Sequence, residues 1–448
     1  MAPTTDLMDY LDVPRKEYIM SDKLKNNFSY FNGVRLSDKE MEAKIHAGDY
    51  DVFETGLPLL GSPDDILQPI FGPFLEKLYS PIPEIWQAGL RELRVYDDWS
   101  TRGFMRFRPD LKPPKPEDCL TQDVISYLEA IETATTCNKL QQGVQFGKRV
   151  TAIAPVIPKG EKQIKTVRLT INDEQEVEYD HVISAIPLGC LSIVDLSQCN
   201  FKPRWETTWP IRQLRYDSSV KVAIRFSRRW WETLPKPQIG GVSSTDRPTR
   251  IVVYPSYDLG GTSATIIVSY TWAQDAHRLG TGVDNDKGSI SLELLNVILR
   301  DLADIHGIKD DKYLPNLMEE HHAWDWYNDP LAMGAFGLFA PAQFNSLYPL
   351  LTRPAFGRLH FAGEATSVHH GWVVGALYSA FRCLAEVFYA CGRTDLIEKL
   401  REKGSPFASA GVEDNEVAQE LVKTQVGLGN YYGEELAKAI LAHDSAGH

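Results

Sequence analysis

The chain is poor in cysteine, with Cys119, Cys137, Cys190, Cys199, Cys383 and Cys391 the only ones among 448 residues, and no C-x-x-C pair. That spacing excludes a disulfide scaffold and a cysteine zinc site. It predicts isolated, mostly buried thiols in a reducing compartment. Positive charge is also short: 47 Lys and Arg against 60 Asp and Glu leave a formal net charge of −13. Such a surface repels phosphate backbones, which argues against nucleic acid as a partner. No run of eighteen apolar residues occurs, so no membrane span is expected. Met1–Pro14 has neither the basic nor the apolar region of a secretory signal. With no targeting signal at the other end, the default expectation is the cytoplasm. The formal sequon at Asn27 is read as coincidence. Adjacent histidines, His321-His322 and His369-His370, point opposite ways on a strand, so no metal site is expected. Internal repeats and low-complexity tracts are lacking, and so is any sign of oligomeric state. Finally, no G-x-G-x-x-G occurs; the nearest approach, Gly427 to Gly433, is one residue too long and follows a polar helix.

Hydrophobic residues at 43% and charged residues at 24% exclude disorder as the main state. The length predicts two to four structural units. Residues 1–136 read as mainly helical. There Ile66, Leu67, Ile70, Phe71, Phe74, Leu75 and Leu78 fall at helical spacing. A proline-rich linker follows, then a helix from Thr121, its expected cap. Residues 137–198 read as short strands. In "TVRLTI", Val167, Leu169 and Ile171 alternate with Arg168 and Thr170, which is period two. "HVISAI" is nearly all apolar, as a fully buried strand should be. Residues 199–350 form a mixed block, including a helix with Leu292, Leu295, Val297 and Leu299 in its apolar set. Residues 351–392 give strand, turn and helix, and 393–448 a polar helical tail.

"FAGEATSVHHGWVVGALYSAFR", Phe361 to Arg382, carries the most chemistry. Gly363 lacks a Cβ, so a ligand can approach its backbone. Glu364 can accept hydrogen bonds from sugar hydroxyls, as acids near strand ends do in dinucleotide folds. A helix is expected from about Gly371, and its free N–H groups and positive dipole end favour negative charge. Gly375 and Ala376 are small enough for close approach. Val373, Val374, Leu377, Phe381 and Leu384 are the expected core face.

The combination of Gly-Glu, His-Gly-Trp and Gly-Ala in this window resembles the C-terminal flavin-binding signature of FAD-dependent amine oxidases, closest to the L-amino-acid oxidases. Other motifs agree in order. "YDHVISAIPLGCL" resembles the family's strand-and-turn motif. "KRVTAI" is similar to the strand whose valine meets the adenine side of FAD, here Val150. "SSVKVAIRFSRRWWE" resembles the segment of the active-site lysine, here Lys221, which alternates with Val220 and Val222. "GGVSSTDRPTRIVVYPS" and "IIVSYTW" are similar to stretches of L-amino-acid oxidases, where the tyrosine that holds the substrate carboxylate falls on Tyr270. "GAFGLFAPAQF", "DLMDYLDVP" and "YFNGVRLSD" also fit. The resemblance covers most of the chain up to about Cys391.

The resemblance implies FAD as cofactor, held by Val150, Gly363, Glu364, Gly371, Trp372, Val373, Val374, Gly375 and Ala376. It implies substrate contacts from Tyr270, Gly371 and Trp372, and a water ordered near the reacting flavin atom by Lys221. The expected partners are oxygen and a small amine or L-amino acid. The expected fold is mixed α/β (α+β): the two-domain amine oxidase-like fold, incomplete. The Gly-rich phosphate loop of the first Rossmann βαβ unit, the Arg-Gly-Gly-Arg element and the Gly-Ala-Met-Arg carboxylate clamp are not in this sequence. A passage before "RVTAI" is also short. Whole segments are gone while their flanks look normal, the pattern of a truncated or mis-spliced gene model. The expected function is oxidative deamination of an L-amino acid to a 2-oxo acid, ammonia and hydrogen peroxide. The alternatives are a non-catalytic remnant unable to hold FAD, and a related flavin amine oxidase or monooxygenase with another amine substrate.

Overall fold

The computed structural model describes residues 19–57, 61–78, 80, 83–96, 104–105, 107–111, 145–199, 205–256 and 258–400. The linker beyond 111, the helix expected from Thr121 and the tail beyond 400 lie outside the described residues. The strands are β1 (Phe28–Phe31), β2 (Val34–Ser37), β3 (Val150–Val156), β4 (Thr166–Ile171), β5 (Gln175–Tyr179), β6 (Val182–Ser184), β7 (Arg215–Asp217), β8 (Ser219–Phe226), β9 (Val242–Thr245), β10 (Ile251–Val253), β11 (Thr265–Trp272), β12 (Val283–Asp284), β13 (Ser289–Ile290), β14 (Met318–Asp325), β15 (Phe336–Leu338) and β16 (Leu359–Phe361). The longer helices are α1 (Asp38–His46), α2 (Pro63–Leu78), α3 (Pro83–Arg94), α4 (Trp205–Gln213), α5 (Ala273–Gly280), α6 (Leu292–His306), α7 (Gln343–Leu351) and α8 (Val373–Ala390).

The largest sheet has seven strands in the order β14-β8-β11-β10-β9-β1-β2. Strand β8 shows why it forms. Val220, Val222 and Ile224 are fully buried on one face, while Lys221, Ala223 and Arg225 alternate on the other. Helix α6 closes the buried face with Leu295, Ile298, Leu299, Leu302 and Ile305. Ser291 caps its start by accepting from the Leu294 N–H, and Gly307 ends it in the left-handed region. Two of the four residues expected on its apolar face behave otherwise: Leu292 is 66% exposed and Val297 only half-buried. Leu292 is the first helical residue and lies outside the packed stripe.

Residues 28–37 correct the expectation of a mainly helical 1–136. They form the antiparallel hairpin β1–β2, and β1 adds in parallel to β9. Asn32 and Gly33 both take positive φ, at 52° and 78°, as a two-residue hairpin turn requires. The helical part of the expectation holds in α2 and α3, with Ile70 and Phe74 buried against Phe104.

A second region carries an antiparallel sheet β3-β4-β5 and the parallel pair β16-β6. Period two holds in β4, where Val167 and Ile171 are buried. Strand β6 is less covered than its composition suggests: Ile183 is 39% exposed. Among the described residues β6 pairs with β16 alone.

Helix α8 reverses the expected core face. Its buried residues are Gly375, Ser379, Arg382, Cys383, Ala385 and Glu386, whereas Val373 is 39% exposed and Val374, Leu377, Phe381 and Leu384 are half-buried. The cause is the polar surface beneath it. Arg382 donates to the carbonyls of Phe361 and Thr352 and to Thr366 Oγ1, and His360 Nδ1 lies 2.7 Å from Glu386 Oε2. By length and composition α8 could cross a membrane, with a mean hydropathy of 1.3. Its Arg382 and Glu386 are instead buried against β16, the behaviour of a packed helix. Of the thiols described, Cys199 and Cys383 are buried, Cys190 is half-buried and Cys391 exposed.

Candidate active site

Three pieces of backbone converge on a cavity of about 260 Å³. They are the turn after β6 (Ala185 to Leu188), the turn after β16 (Ala362 to Ala365) and the segment after β14, represented by Trp326 and Ala332. Tyr216 of β7 joins them, its hydroxyl accepting from the Leu188 N–H at 3.0 Å. The Trp326 N–H donates to the Ser219 carbonyl at 3.0 Å, which fastens the third piece to β8.

Gly363 sits at φ 115°, and a Cβ there would meet nothing within 4 Å. Its backbone therefore faces open space, the arrangement in which a flat ligand can lie on the chain. Glu364 does more building than the sequence suggests. Its Oε1 accepts from the Gly337 N–H and its Oε2 from the Gly371 N–H, both at 2.9 Å. Burial raises the Glu364 pKa, and these two bonds oppose the rise. The carboxylate thereby joins the turn after β16, strand β15 and the approach to α8.

Gly371 takes φ 74°, and a Cβ there would lie 3.7 Å from the Phe336 ring. Trp372 is the N-cap residue of α8, and no side chain caps that end. Trp372 is 47% exposed, and Ala376 closes the first turn onto its carbonyl. Gly375 has a different duty from its neighbours. A Cβ there would lie 2.3 Å from the His369 carbonyl and 2.4 Å from Ser367 Oγ, so its smallness serves packing within the chain.

Lys221 and Tyr270 are directly opposite each other on β8 and β11. The Lys221 Nζ lies 4.5 Å from the centre of the Tyr270 ring, within cation–π range. Among the described residues Lys221 has no ion pair, and burial lowers its pKa. Burial raises the Tyr270 pKa, which keeps its hydroxyl protonated. On the other side of Lys221, Trp324 of β14 is the register partner. Its ring lies 6.3 Å from that of Trp326, which lines the cavity. An aromatic row thus runs from the cavity through Trp326 and Trp324 to Lys221.

The structure brings Gly363 and Glu364 to the cavity and ties Gly371 and the head of α8 to them. Val150 opens β3 and packs on the core that also holds Leu188 and Ala365, but it does not itself line the cavity. Sequence reading missed Tyr216, Trp324, Trp326 and Phe336. For the last three the signal was the cluster of aromatics and glycine in "WDWYNDPLAMGAFGLF", which has no period to assign faces.

A flavin's flat ring suits the open backbone at Gly363 and the Tyr216 and Trp326 walls. Among the described residues the lining contains no Lys or Arg, and Glu364 is its one acidic residue.

The family described as flavin containing amine oxidoreductase matches residues 75–387. A putative bifunctional amine oxidase of Dictyostelium discoideum is 34% identical over 84% of this chain and 38% of its own length. L-amino-acid oxidase 4 of Hebeloma cylindrosporum is 32% identical over 87% of this chain and 70% of its own. The chain thus spans well under half of the first relative. Among solved structures, cyclohexylamine oxidase from Brevibacterium oxydans is 16% identical at a TM-score of 0.36, covering 49% of this chain and 43% of that one. The family assignment rests on the sequence matches.

Proposed function

The chain belongs to the flavin-containing amine oxidoreductase family, and from that premise we propose that it oxidises an L-amino acid with FAD as cofactor. The products are a 2-oxo acid, ammonia and, from oxygen, hydrogen peroxide. FAD, when bound, supplies the acceptor for the two electrons leaving the substrate. The chain's own residues do the rest. Tyr270, held protonated by burial, donates to the substrate carboxylate. Lys221, drawn toward neutrality by burial, holds a water at the reacting face. Trp372 and Gly371 bound the substrate side, and the uncapped head of α8 stabilises negative charge that develops there.

The observation that carries this reading is the Lys221–Tyr270 pair, linked by Trp324 and Trp326 to the cavity. The test is peroxide release from an L-amino-acid panel by the FAD-incubated chain. Lys221→Met should lower kcat strongly while leaving KM close to its starting value. Activity unchanged by that substitution would sink the assignment of Lys221.

A second reading is that the chain is non-catalytic. One observation favours it: no G-x-G-x-x-G occurs in the sequence, and that loop normally cradles the pyrophosphate. A visible spectrum after FAD incubation and desalting separates the two, since a remnant unable to hold FAD must stay colourless.

A further inference from the structure

We propose that Lys221 is a nucleophile toward carbonyl compounds and captures a 2-oxo acid as an imine on its Nζ. The choice of carbonyl compound rests on the oxidase reading above, whose product is a 2-oxo acid; the reactivity of the amine does not. Placement carries the inference. Lys221 stands in β8 between Tyr270 of β11 and Trp324 of β14, its direct partners on either side. Its Nζ lies 4.5 Å from the centre of the Tyr270 ring. The Trp272 ring meets that of Tyr270 edge-on at 5.3 Å, and the His322 ring stacks on Trp324 at 6.2 Å. The amine is therefore set among aromatic rings. Its neighbours on the same face of β8 are the small Ser219 and Ala223, so no bulky side chain of that strand screens it. Acids on and after β14 are engaged elsewhere. Glu319 and Glu320 pair with Arg225, Asp325 accepts from the Tyr327 N–H and from Asn328 Nδ2, and Asp329 accepts from Trp324 Nε1. The Tyr270 face attracts an ammonium, but lost hydration opposes it, and burial lowers the Lys221 pKa. Desolvated lysines of this kind supply the free amine of imine chemistry. The step needs no redox partner. The Nζ lone pair attacks the carbonyl carbon, both amine protons leave with the carbonyl oxygen as water, and Nζ ends double-bonded to that carbon. Tyr270, its hydroxyl held protonated by burial, is the adjacent donor for the acid's carboxylate.

The experiment incubates the full chain, without added flavin, with phenylpyruvate and sodium cyanoborohydride, which reduces an imine to a stable secondary amine. Peptide mass mapping then locates the label. The Lys221 peptide should gain the mass of one oxo acid less one oxygen atom. At neutral pH it should label at least about tenfold faster than the peptides of the exposed Lys162 and Lys309. Lys221→Arg should remove that label and leave the slow labelling elsewhere unchanged. Trp324→Ala, which admits water to Nζ, should slow Lys221 toward the rate of Lys162. Labelling of Lys221 no faster than that of Lys162 in the unaltered chain would overturn the inference. The FAD-incubated chain, assayed in parallel for peroxide from L-amino acids, keeps the two readings apart. Peroxide release without excess label on Lys221 would overturn the inference and leave the oxidase reading standing. Excess label with no peroxide from any amino acid would uphold the inference and remove the oxidase reading.

Discussion

The sheet around β8 and the pair β6–β16 solve the same problem in opposite ways. On the first, Val220, Val222, Ile224, Trp230 and Trp231 are fully buried and α6 seals them with an aliphatic stripe. On the second, the sealed face of α8 is Arg382, Glu386 and Ser379, and the aliphatic residues Ile183 and Val373 are each 39% exposed. Hydrophobic burial is tolerant of detail, because it has no direction. A buried guanidinium–carboxylate–imidazole chain demands geometry, since any unpaired member is costly. The region that holds Lys221 and Tyr270 is therefore built for stability. The region that carries the cavity turns is built for position: His360 and Glu386 fix β16 to α8, and His181 Nδ1 lies 3.2 Å from His360 Nε2 on the β6 side.

The comparison breaks most visibly under truncation. Trp231→Ala, at a fully buried position, should cost about 3–5 kcal/mol. Ile183→Ala, 39% exposed, should cost under about 1 kcal/mol. Urea unfolding of both variants decides it; equal losses would mean that Ile183 is covered and the two regions are alike. Next in size, Glu386→Ala should cost about 3 kcal/mol. It strips the carboxylate from His360 at 2.7 Å and leaves the buried Arg382 with the Thr352 and Phe361 carbonyls and Thr366 Oγ1, all uncharged. Glu386→Gln should recover part of that loss. If both are silent, the polar seal is ornamental.

The same contrast explains what could be read from the sequence. Period two in β8 and the 3.6 period in α6 announced the closed region, because one face of each faces a plain apolar core. The caps at Ser291 and Gly307 fit the same pattern. The β1–β2 hairpin had its sign too, Asn32-Gly33 between alternating residues. In α8 the apolar pattern misleads for a physical reason. Its apolar residues predict a buried face, but the surface beneath it offers the carbonyls of Thr352 and Phe361 and the ring of His360. Only polar side chains satisfy those groups. The site divided likewise. Lys221 and Tyr270 lie on strands whose alternation fixes their face. Trp326 lies just past the end of β14 and Phe336 opens the short β15 after a loop, where no period assigns direction.

Acid should sharpen the contrast more gently. Burial lowers the pKa of His306, in the closed region, from 6.5 to about 4. His181, beside β6, also falls to about 4, by burial and then the neighbouring His360. Both are held neutral by the fold, so between pH 6.5 and about 4 the unfolded chain binds more protons. Stability therefore falls as pH falls through that window and levels off below it. His306→Phe should flatten the dependence of the urea midpoint on pH across this range. An unchanged slope would assign the loss to other groups, His370 foremost, which burial also lowers to about 4.

The smallest effect tests whether exposure or helical periodicity governs the closed region itself. Leu292 and Leu295 stand three apart at the start of α6, and the sequence alone treats them alike. The structure does not: Leu292 is 66% exposed and Leu295 is 5% exposed. Leu295→Ala should cost about 2–5 kcal/mol, because it opens space under the sheet. Leu292→Ala should stay within about 0.5 kcal/mol, as a surface substitution does, and alanine's higher helix propensity even favours it slightly. A loss at Leu292 comparable to that at Leu295 would mean that something covers the start of α6. The sealed sheet would then extend further than its described residues reach, and its contrast with α8 would be one of degree.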